Sequence, residues 1–174
     1  MLYELRPHQQ QALDQLRESF SKGLKRPMLY ASVGYGKTVV AAHIVTGTLN
    51  KGKRVMFVAP YTALINQTAR SFMDQGIPQP GVMQADHEWT NPKKRLQIAS
   101  VQTLARRKIP DVDLIIVDEA HLQYGIIGKL MKETDIPIIG LSGSPFSKGL
   151  GKHYDNLIQT TSMRELIDTG FLSD

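Results

Sequence analysis

Short apolar runs alternate along the chain with stretches of helical length, and this alternation limits the fold more than any other feature. Five runs have the apolar character and flanking turn residues of strands buried on both faces: PMLYA (27–31), RVMFVA (54–59), LQIAS (96–100), DLIIVD (113–118) and PIIGLS (137–142). The helix-length stretches are 6–21, 37–49, 62–75, 126–134 and 162–169. This order predicts an α/β domain with a mainly parallel central sheet and helices on both faces, in which ligands bind beyond the carboxyl ends of the strands.

Length and composition exclude several classes of protein. A chain of 174 residues fits one domain, and its lack of cysteine excludes disulfide scaffolds and thiolate zinc sites. The turn-rich segments 76–81 and 143–153 are predicted to be loops and not linkers. A net charge of +5 favours an anionic partner such as nucleic acid. With neither a long apolar stretch nor a signal-peptide core, we expect a soluble protein of the cytoplasm, bacterial or in a phage-infected host.

The segment ASVGYGKT (31–38) lies between a predicted strand and a predicted helix, where a phosphate-binding loop belongs. Gly34 and Gly36 allow backbone N–H groups to point at phosphate oxygens. Lys37 would contact the β- and γ-phosphates, and Thr38 would offer its hydroxyl to Mg²⁺. The departure from the usual pattern is Ala31 at the first glycine, and the alternative is a glycine-rich turn with an exposed lysine. The residues expected to bind the nucleotide phosphates are Val33, Gly34, Tyr35, Gly36, Lys37 and Thr38.

The apolar run LIIVDEAH (114–121) ends in two adjacent carboxylates at the predicted ligand-binding edge of the sheet. Asp118 can hold Mg²⁺ through water, and Glu119 can orient and deprotonate the attacking water. The alternative is a solvated acidic strand end. Together with Lys37, these two residues are the predicted catalytic groups, and Thr38 and Asp118 are the predicted metal-binding residues.

Three segments in this order, ASVGYGKT, VDEAH (117–121) and GLSGSP (140–145), resemble motifs I, II and III of the superfamily 2 DEAD/DEAH-box helicases. Further segments that resemble this superfamily are ELRPHQQQAL (4–13), FVAPYTALINQ (57–67) and IASVQTLARR (98–107). The resemblance covers residues 5–172 and is greatest to the bacterial and phage DNA helicases related to RadD and to restriction-enzyme motor subunits. It implies a three-layer RecA-like P-loop NTPase domain that uses ATP and Mg²⁺.

The resemblance also implies roles for polar residues outside the first two motifs. Arg6 and Gln9 would contact the adenine, although a polar helix cap on a surface helix would also explain them. His121 would face the junction with a partner domain, although a lone histidine is more often structural. Motif III would couple ATP to nucleic acid through Ser142, Gly143 and Ser144, the middle position being alanine in the commoner form; a simple turn is the alternative.

Nucleic-acid contacts are expected from two further motifs. The predicted contact residues are Pro60, Thr62, Ser100, Gln102, Thr103, Arg106 and Arg107. Such groups hold phosphates without reading bases, so the sequence leaves DNA and RNA open, with DNA favoured by the resemblance. For the basic cluster 106–108, the alternative is a solvated face.

A helicase core of this superfamily has two RecA-like domains, and these residues match only the first. We therefore expect residues 1–174 to be the N-terminal motor domain of a larger protein, whose C-terminal helicase domain would supply the arginines that stabilise the transferring phosphoryl group. Two other classes remain open at this point. One is a nucleotide- or nucleic-acid-binding module without catalysis, and the other is a small-molecule kinase, which would not explain DEAH together with SGSP.

Overall fold

The computed structural model describes residues 2–31, 36–84, 87–122, 124–143 and 153–160. The α-helices in these ranges are α1 (Pro7–Ser21), α2 (Lys37–Asn50), α3 (Ile65–Asp74), α4 (Val101–Leu104) and α5 (Gly125–Glu133). The strands are β1 (Pro27–Tyr30), β2 (Val55–Ala59), β3 (Gly81–Met83), β4 (Leu96–Ser100), β5 (Leu114–Val117), β6 (Ile138–Ser142) and β7 (Asn156–Ile158). None of the described helices has the length and apolar character needed to cross a membrane.

The seven described strands form one sheet in the order β3-β4-β2-β5-β6-β1-β7, and every neighbouring pair is parallel. All carboxyl ends therefore lie along the same edge of the sheet. Strand β6 lies between β5 and β1, so the strands that precede the three candidate motifs are adjacent in space although they are far apart in sequence.

The two faces of the sheet have separate apolar cores, as expected for strands covered on both sides. On one face, helices α1, α2 and α3 pack against the sheet through Leu16, Val45 and Phe72. On the other face, α4 and α5 pack against it through Leu104, Ile127 and Leu130. Three layers result, and the mainly parallel α/β prediction is confirmed.

The five predicted strands are all present, but the sequence analysis did not predict two further strands. Strands β3 and β7 are only three residues long, too short to show a pattern, and both lie at the ends of the sheet. The predicted loop 76–81 ends one residue too late because Gly81 begins β3. The predicted helix 62–75 starts as a 3₁₀ turn, Thr62–Leu64, before α3 begins. The predicted helix 162–169 and most of the predicted loop 143–153 lie outside the described residues.

Candidate nucleotide-binding site

The pairing of β1 with β6 brings the first and third candidate motifs together. Tyr30 lies opposite Ser142 in the ladder, and the Ala31 N–H donates to the Ser142 carbonyl at 2.7 Å. The segment that follows Ala31 thus leaves the sheet beside Ser142. On the other side of β6, Val117 lies opposite Gly140, so the end of β5 opens into the same region.

Helix α2 begins at this edge, directly after a glycine in the left-handed conformation. Gly36 has φ of 83° and is the N-cap residue of α2, whose first two residues are Lys37 and Thr38. The first turn carries no acidic side chain that would compete for the N-terminal N–H groups. Those groups and the positive end of the helix dipole are therefore available to an anion. Val33, Gly34 and Tyr35 lie outside the described residues.

Lys37 joins the first motif to the second through two ion pairs. Its Nζ lies 2.8 Å from Asp118 Oδ1 and 3.0 Å from Glu119 Oε1. Burial lowers the pKa of Lys37, but the hydrogen bonds and charges of Asp118 and Glu119 outweigh burial, and the pKa is raised above its ordinary value. The lysine is therefore charged at neutral pH, and one cation partly balances two adjacent carboxylates. Lys37 is thus not the fully exposed lysine of the alternative interpretation, since its side chain is 27% exposed and ion-paired.

The two carboxylates are held by an unusual backbone. Glu119 has φ of 51°, the only positive φ among the described non-glycine residues, and its N–H donates to Asp118 Oδ1 at 2.9 Å. A non-glycine residue in this region costs about 1–3 kcal/mol and is typical of functional sites. The turn directs both side chains to Lys37. Asp118 Oδ2 makes no hydrogen bond within the described part of the chain, and carboxylate and hydroxyl oxygens at Asp118 and Thr38 are ligands that suit Mg²⁺.

A chain of polar contacts continues from Glu119 to the third motif. His121 Nε2 lies 3.6 Å from Glu119 Oε2, and His121 Nδ1 lies 3.0 Å from the buried Ser142 Oγ. The 3₁₀ turn Ala120–Leu122, which carries His121, packs closely on β6 at Gly140. A Cβ at Gly140 would lie 2.8 Å from the Ala120 Cβ, so this approach requires glycine.

Gly143 stands where the commoner form of this motif has alanine, and the backbone at this position does not require glycine. A Cβ at Gly143 would meet Glu119 Oε1 at 3.6 Å and the Ala31 carbonyl at 3.8 Å, both ordinary contacts. A methyl group would therefore fit between the first two motifs. Ser144 lies outside the described residues.

The candidate adenine-binding residues lie beside the start of α2. Arg6 is the exposed N-cap residue of α1, and its N–H donates to Gln9 Oε1 at 2.8 Å. Arg6 and Gln9 form the capping box of α1, as the helix-cap alternative requires, but Gln9 itself is only 2% exposed. Its amide Nε2 points at Gly36, where a Cβ would collide with it. The segment that resembles the adenine-recognition motif therefore contacts the phosphate-binding motif directly.

This contact gives a stability prediction for two glycines at α2. Gly36→Ala is expected to destabilise the fold by about 1–2 kcal/mol, because alanine is strained at this φ and its methyl group displaces Gln9. Gly47→Ala, in the same helix with nothing near its Cβ position, is expected to stabilise the fold by about 0.5–1 kcal/mol. Urea unfolding of both variants measures the change in the free energy of unfolding, which should have opposite signs. Equal changes would contradict the close packing at Gly36.

The candidate nucleic-acid residues divide into two groups in the structure. Pro60 and Thr62 follow β2 at the carboxyl edge, while Arg106 and Arg107 are exposed and line a groove beside α5 together with Lys129. Ser100 is fully buried, and its Oγ accepts from the Thr103 N–H at 3.2 Å as the cap of α4. The exposed members of the predicted set are Thr62, Gln102, Arg106 and Arg107.

Two features of the site have no signal in the sequence. Tyr124, next to α5, has a buried hydroxyl with no hydrogen-bond partner among the described residues. Burial raises its pKa, as do the nearby Glu119, Tyr61 and Asp118. Polar residues of α3 also line a cavity that reaches Thr38. Tyr124, Thr68 and Ser71 belong to no recognisable motif, and both features depend on packing between distant segments.

A parallel sheet that holds the start of α2, the acidic end of β5 and Ser142 around one ion-pair network defines a RecA-like ATPase domain of the superfamily 2 helicase type. The chain belongs to the family described as "Type III restriction enzyme, res subunit", whose model matches residues 2–147. The family is one of helicases and translocases that use ATP.

Individual relatives are distant. The transcription-repair-coupling factor of Staphylococcus aureus is 27% identical over 168 residues, covering 85% of this chain. The chain spans only 14% of that relative's length. The crystal structure of the UvsW helicase from bacteriophage T4 matches 90% of this chain and 60% of its own, with a TM-score of 0.75 and 18% identity. The type ISP restriction-modification enzyme LlaBIII bound to DNA matches 100% of this chain and 16% of its own, with a TM-score of 0.76 and 17% identity.

Proposed function

We propose that this domain binds Mg²⁺-ATP at the carboxyl ends of β1, β5 and β6, and hydrolyses it together with a second RecA-like domain to drive a DNA helicase or translocase. The observation that carries the proposal is the contact of Lys37 Nζ with both Asp118 and Glu119, at 2.8 and 3.0 Å. It joins a helix N-terminus suited to phosphate with two carboxylates suited to metal and water.

Each residue of this network has a separate role in the proposal. Lys37 exchanges its carboxylate partners for the β- and γ-phosphates, which are also anionic and lie at the start of α2. Thr38 and Asp118 hold the metal through oxygen, and Mg²⁺ when bound neutralises charge on the phosphates. Glu119 orients the attacking water and accepts its proton, since its carboxylate is freed when Lys37 turns away. Arg6 and Gln9 contact the adenine.

The contacts of His121 support a coupling role. They connect Glu119 to Ser142, and Ser142 is hydrogen-bonded through its carbonyl to the start of the phosphate-binding segment. A movement of the Glu119 side chain on hydrolysis would therefore change the contacts of His121 with Ser142 at the end of β6. We assign Ser142, Gly143 and Ser144 to the transmission of this change to the neighbouring domain.

The proposed partner is DNA, in the cytoplasm where ATP and DNA occur together. The net charge of +5 supports an anionic partner, and the structurally similar enzyme LlaBIII is bound to DNA. In this chain the proposed contacts are the members of the predicted set that are not buried: Thr62, Gln102, Thr103, Arg106 and Arg107, whereas Pro60 and Ser100 are buried. Since the Ser100 hydroxyl caps α4, its contribution is to hold the Gln102 and Thr103 backbone in place.

The proposal is tested by ATP turnover of this chain joined to a second RecA-like domain, with single-stranded DNA, duplex DNA and RNA as separate activators. DNA-stimulated turnover is expected, and Glu119→Gln is expected to abolish it while ATP binding persists, because only the chemical step needs the carboxylate. Turnover that no nucleic acid stimulates, or that Glu119→Gln leaves unchanged, contradicts the proposal.

The DNA contacts give a prediction on ionic strength. Binding of a single-stranded oligonucleotide should weaken steeply between 50 and 200 mM salt, roughly as phosphate contacts release counterions. Arg106→Ala combined with Arg107→Ala should lower affinity and reduce the slope of log K against log salt by about 1–2. Fluorescence anisotropy measures both.

The matched control removes the same charge from another surface. Arg17→Ala combined with Lys22→Ala takes two exposed cations from α1 and its C-cap, each already paired with an acidic neighbour. This control should leave the salt slope unchanged. Equal effects of the two double variants would mean that net charge, and not the groove beside α5, sets the affinity.

A further inference from the structure

A cavity of about 230 Å³ lies between α2, α3 and the sheet, next to the proposed metal site. Its polar lining residues are Lys37, Thr38, Gln67, Thr68, Ser71 and Asp118. Phe57 and Leu141 of the sheet supply apolar lining. Helix α3 thus presents three polar side chains, Gln67, Thr68 and Ser71, to the same space as the residues of the first two motifs; we call these three side chains the α3 polar row.

The α3 polar row does not stabilise the described part of the protein through hydrogen bonds. Within the described residues, the Gln67 amide and the hydroxyls of Thr68 and Ser71 make no hydrogen bond, and neither does the Thr38 hydroxyl. The buried residues of α3 are Ile65, Ala69 and Phe72, which hold the helix on the sheet. Packing of α3 therefore needs none of these polar groups, although half-buried hydroxyls normally find partners in protein or water.

The volume of the cavity limits which molecules can bind in it. At about 230 Å³ it is smaller than the roughly 300–1,000 Å³ of ordinary small-molecule sites. A water molecule occupies about 30 Å³, so the space fits several waters. Mg²⁺ keeps several of its waters in proteins, and those waters donate hydrogen bonds and need acceptors. Hydroxyl and amide oxygens are such acceptors.

We propose that the α3 polar row binds the water molecules around the Mg²⁺ held at Thr38 and Asp118, and so sets the affinity for the metal-bound form of ATP. This inference rests on the proposed function. It makes Gln67, Thr68 and Ser71 positioning residues, which act on the metal through water. Helix α3 directly follows the 3₁₀ turn Thr62–Leu64, which carries the proposed DNA contact Thr62. In this proposal the same helix therefore contacts the metal-bound waters and adjoins the DNA-binding segment.

The test compares ATP affinity with Mg²⁺ and ATP affinity in EDTA, by calorimetry on this chain. Thr68→Val combined with Ser71→Ala removes both hydroxyls; the first change keeps the shape of the side chain, and the second removes only the hydroxyl oxygen. Loss of groups around a metal's ligands typically costs about 10–100-fold in metal affinity. We therefore expect affinity for Mg²⁺-ATP to fall about tenfold, with affinity in EDTA changed less than twofold. Thr48→Val on α2, whose hydroxyl donates to the Ile44 carbonyl away from the cavity, is the matched control.

The outcomes separate this inference from the proposed function. If the parent binds Mg²⁺-ATP and the double variant keeps the parent's ratio of the two affinities, the inference is overturned and the proposed function stands. If the parent binds no ATP in either condition, the proposed function itself fails. If circular dichroism shows that the double variant does not fold, Gln67→Ala, a change at an exposed residue, replaces it. This variant must then show the same fall in affinity for Mg²⁺-ATP, with affinity for ATP in EDTA unchanged.

Discussion

Lys37→Ala is expected to lower affinity for Mg²⁺-ATP about 100-fold, or about 3 kcal/mol. The lysine is the charged group placed at the start of α2, and charge-assisted hydrogen bonds to phosphate are among the strongest polar contacts. The same change leaves Asp118 and Glu119 without their shared cation, so two adjacent carboxylates then repel an incoming polyphosphate. Calorimetry with ATP in the presence of Mg²⁺ measures the loss.

The control for this prediction lies at the other end of the same helix. Lys51 is the exposed C-cap residue of α2, and Lys51→Ala removes the same charge without touching the site. It should bind Mg²⁺-ATP as the parent does. Equal affinity of the Lys37 and Lys51 variants would rule out the assignment of the phosphate-binding residues.

Turnover by this chain alone is expected to be about 10³ to 10⁵ times slower than turnover by the same chain joined to a second RecA-like domain. The described site offers a helix N-terminus suited to phosphate, oxygen atoms suited to a metal, and the glutamate that we propose orients the water. The described residues that contact one another there include only one cation, Lys37, and it is assigned to the phosphates. In the proposed function, an arginine of the second domain stabilises charge on the transferring phosphoryl group, and such an arginine contributes about this factor where a second domain or protein supplies it.

The measurement is steady-state phosphate release with saturating DNA at matched protein concentration. A two-domain protein with the second domain's arginine replaced by alanine is the control, and it should fall to nearly the rate of the single domain. Comparable turnover by the single domain and the intact two-domain protein would show that this chain completes the site by itself or with a second copy. The requirement for a second domain would then be wrong.

Sequence reasoning could select the candidate site residues because their proposed chemistry depends on residue type at fixed local spacing. Gly36, Lys37 and Thr38 stand where a strand gives way to a helix, and Asp118 and Glu119 end an apolar run. Both contexts are visible within about ten residues. The five longer strands were predictable for the same reason, since a buried parallel strand is a continuous apolar run.

Other features depended on distances that no local pattern contains. Gln9 looks like a polar residue of a surface helix, yet it is buried because α1 packs so that the amide meets Gly36. The α3 polar row looks like the solvent side of an amphipathic helix, yet the row faces the cavity shared with Asp118.

By itself, then, the sequence determined the α/β class, the long strands, and the candidate residues to which phosphate, metal and proton chemistry are assigned. Only the tertiary structure decided which of them meet. The strand order places β6 between β5 and β1. Two strand spacings of about 5 Å each therefore separate β1, which precedes the segment leading to Lys37, from β5, which precedes Asp118. A lysine and an aspartate side chain together span this distance. Strand order, helix docking and the short edge strands β3 and β7 follow from burial summed over the whole sheet. No single segment encodes that sum, because each strand gains its stability from neighbours that are distant in the chain.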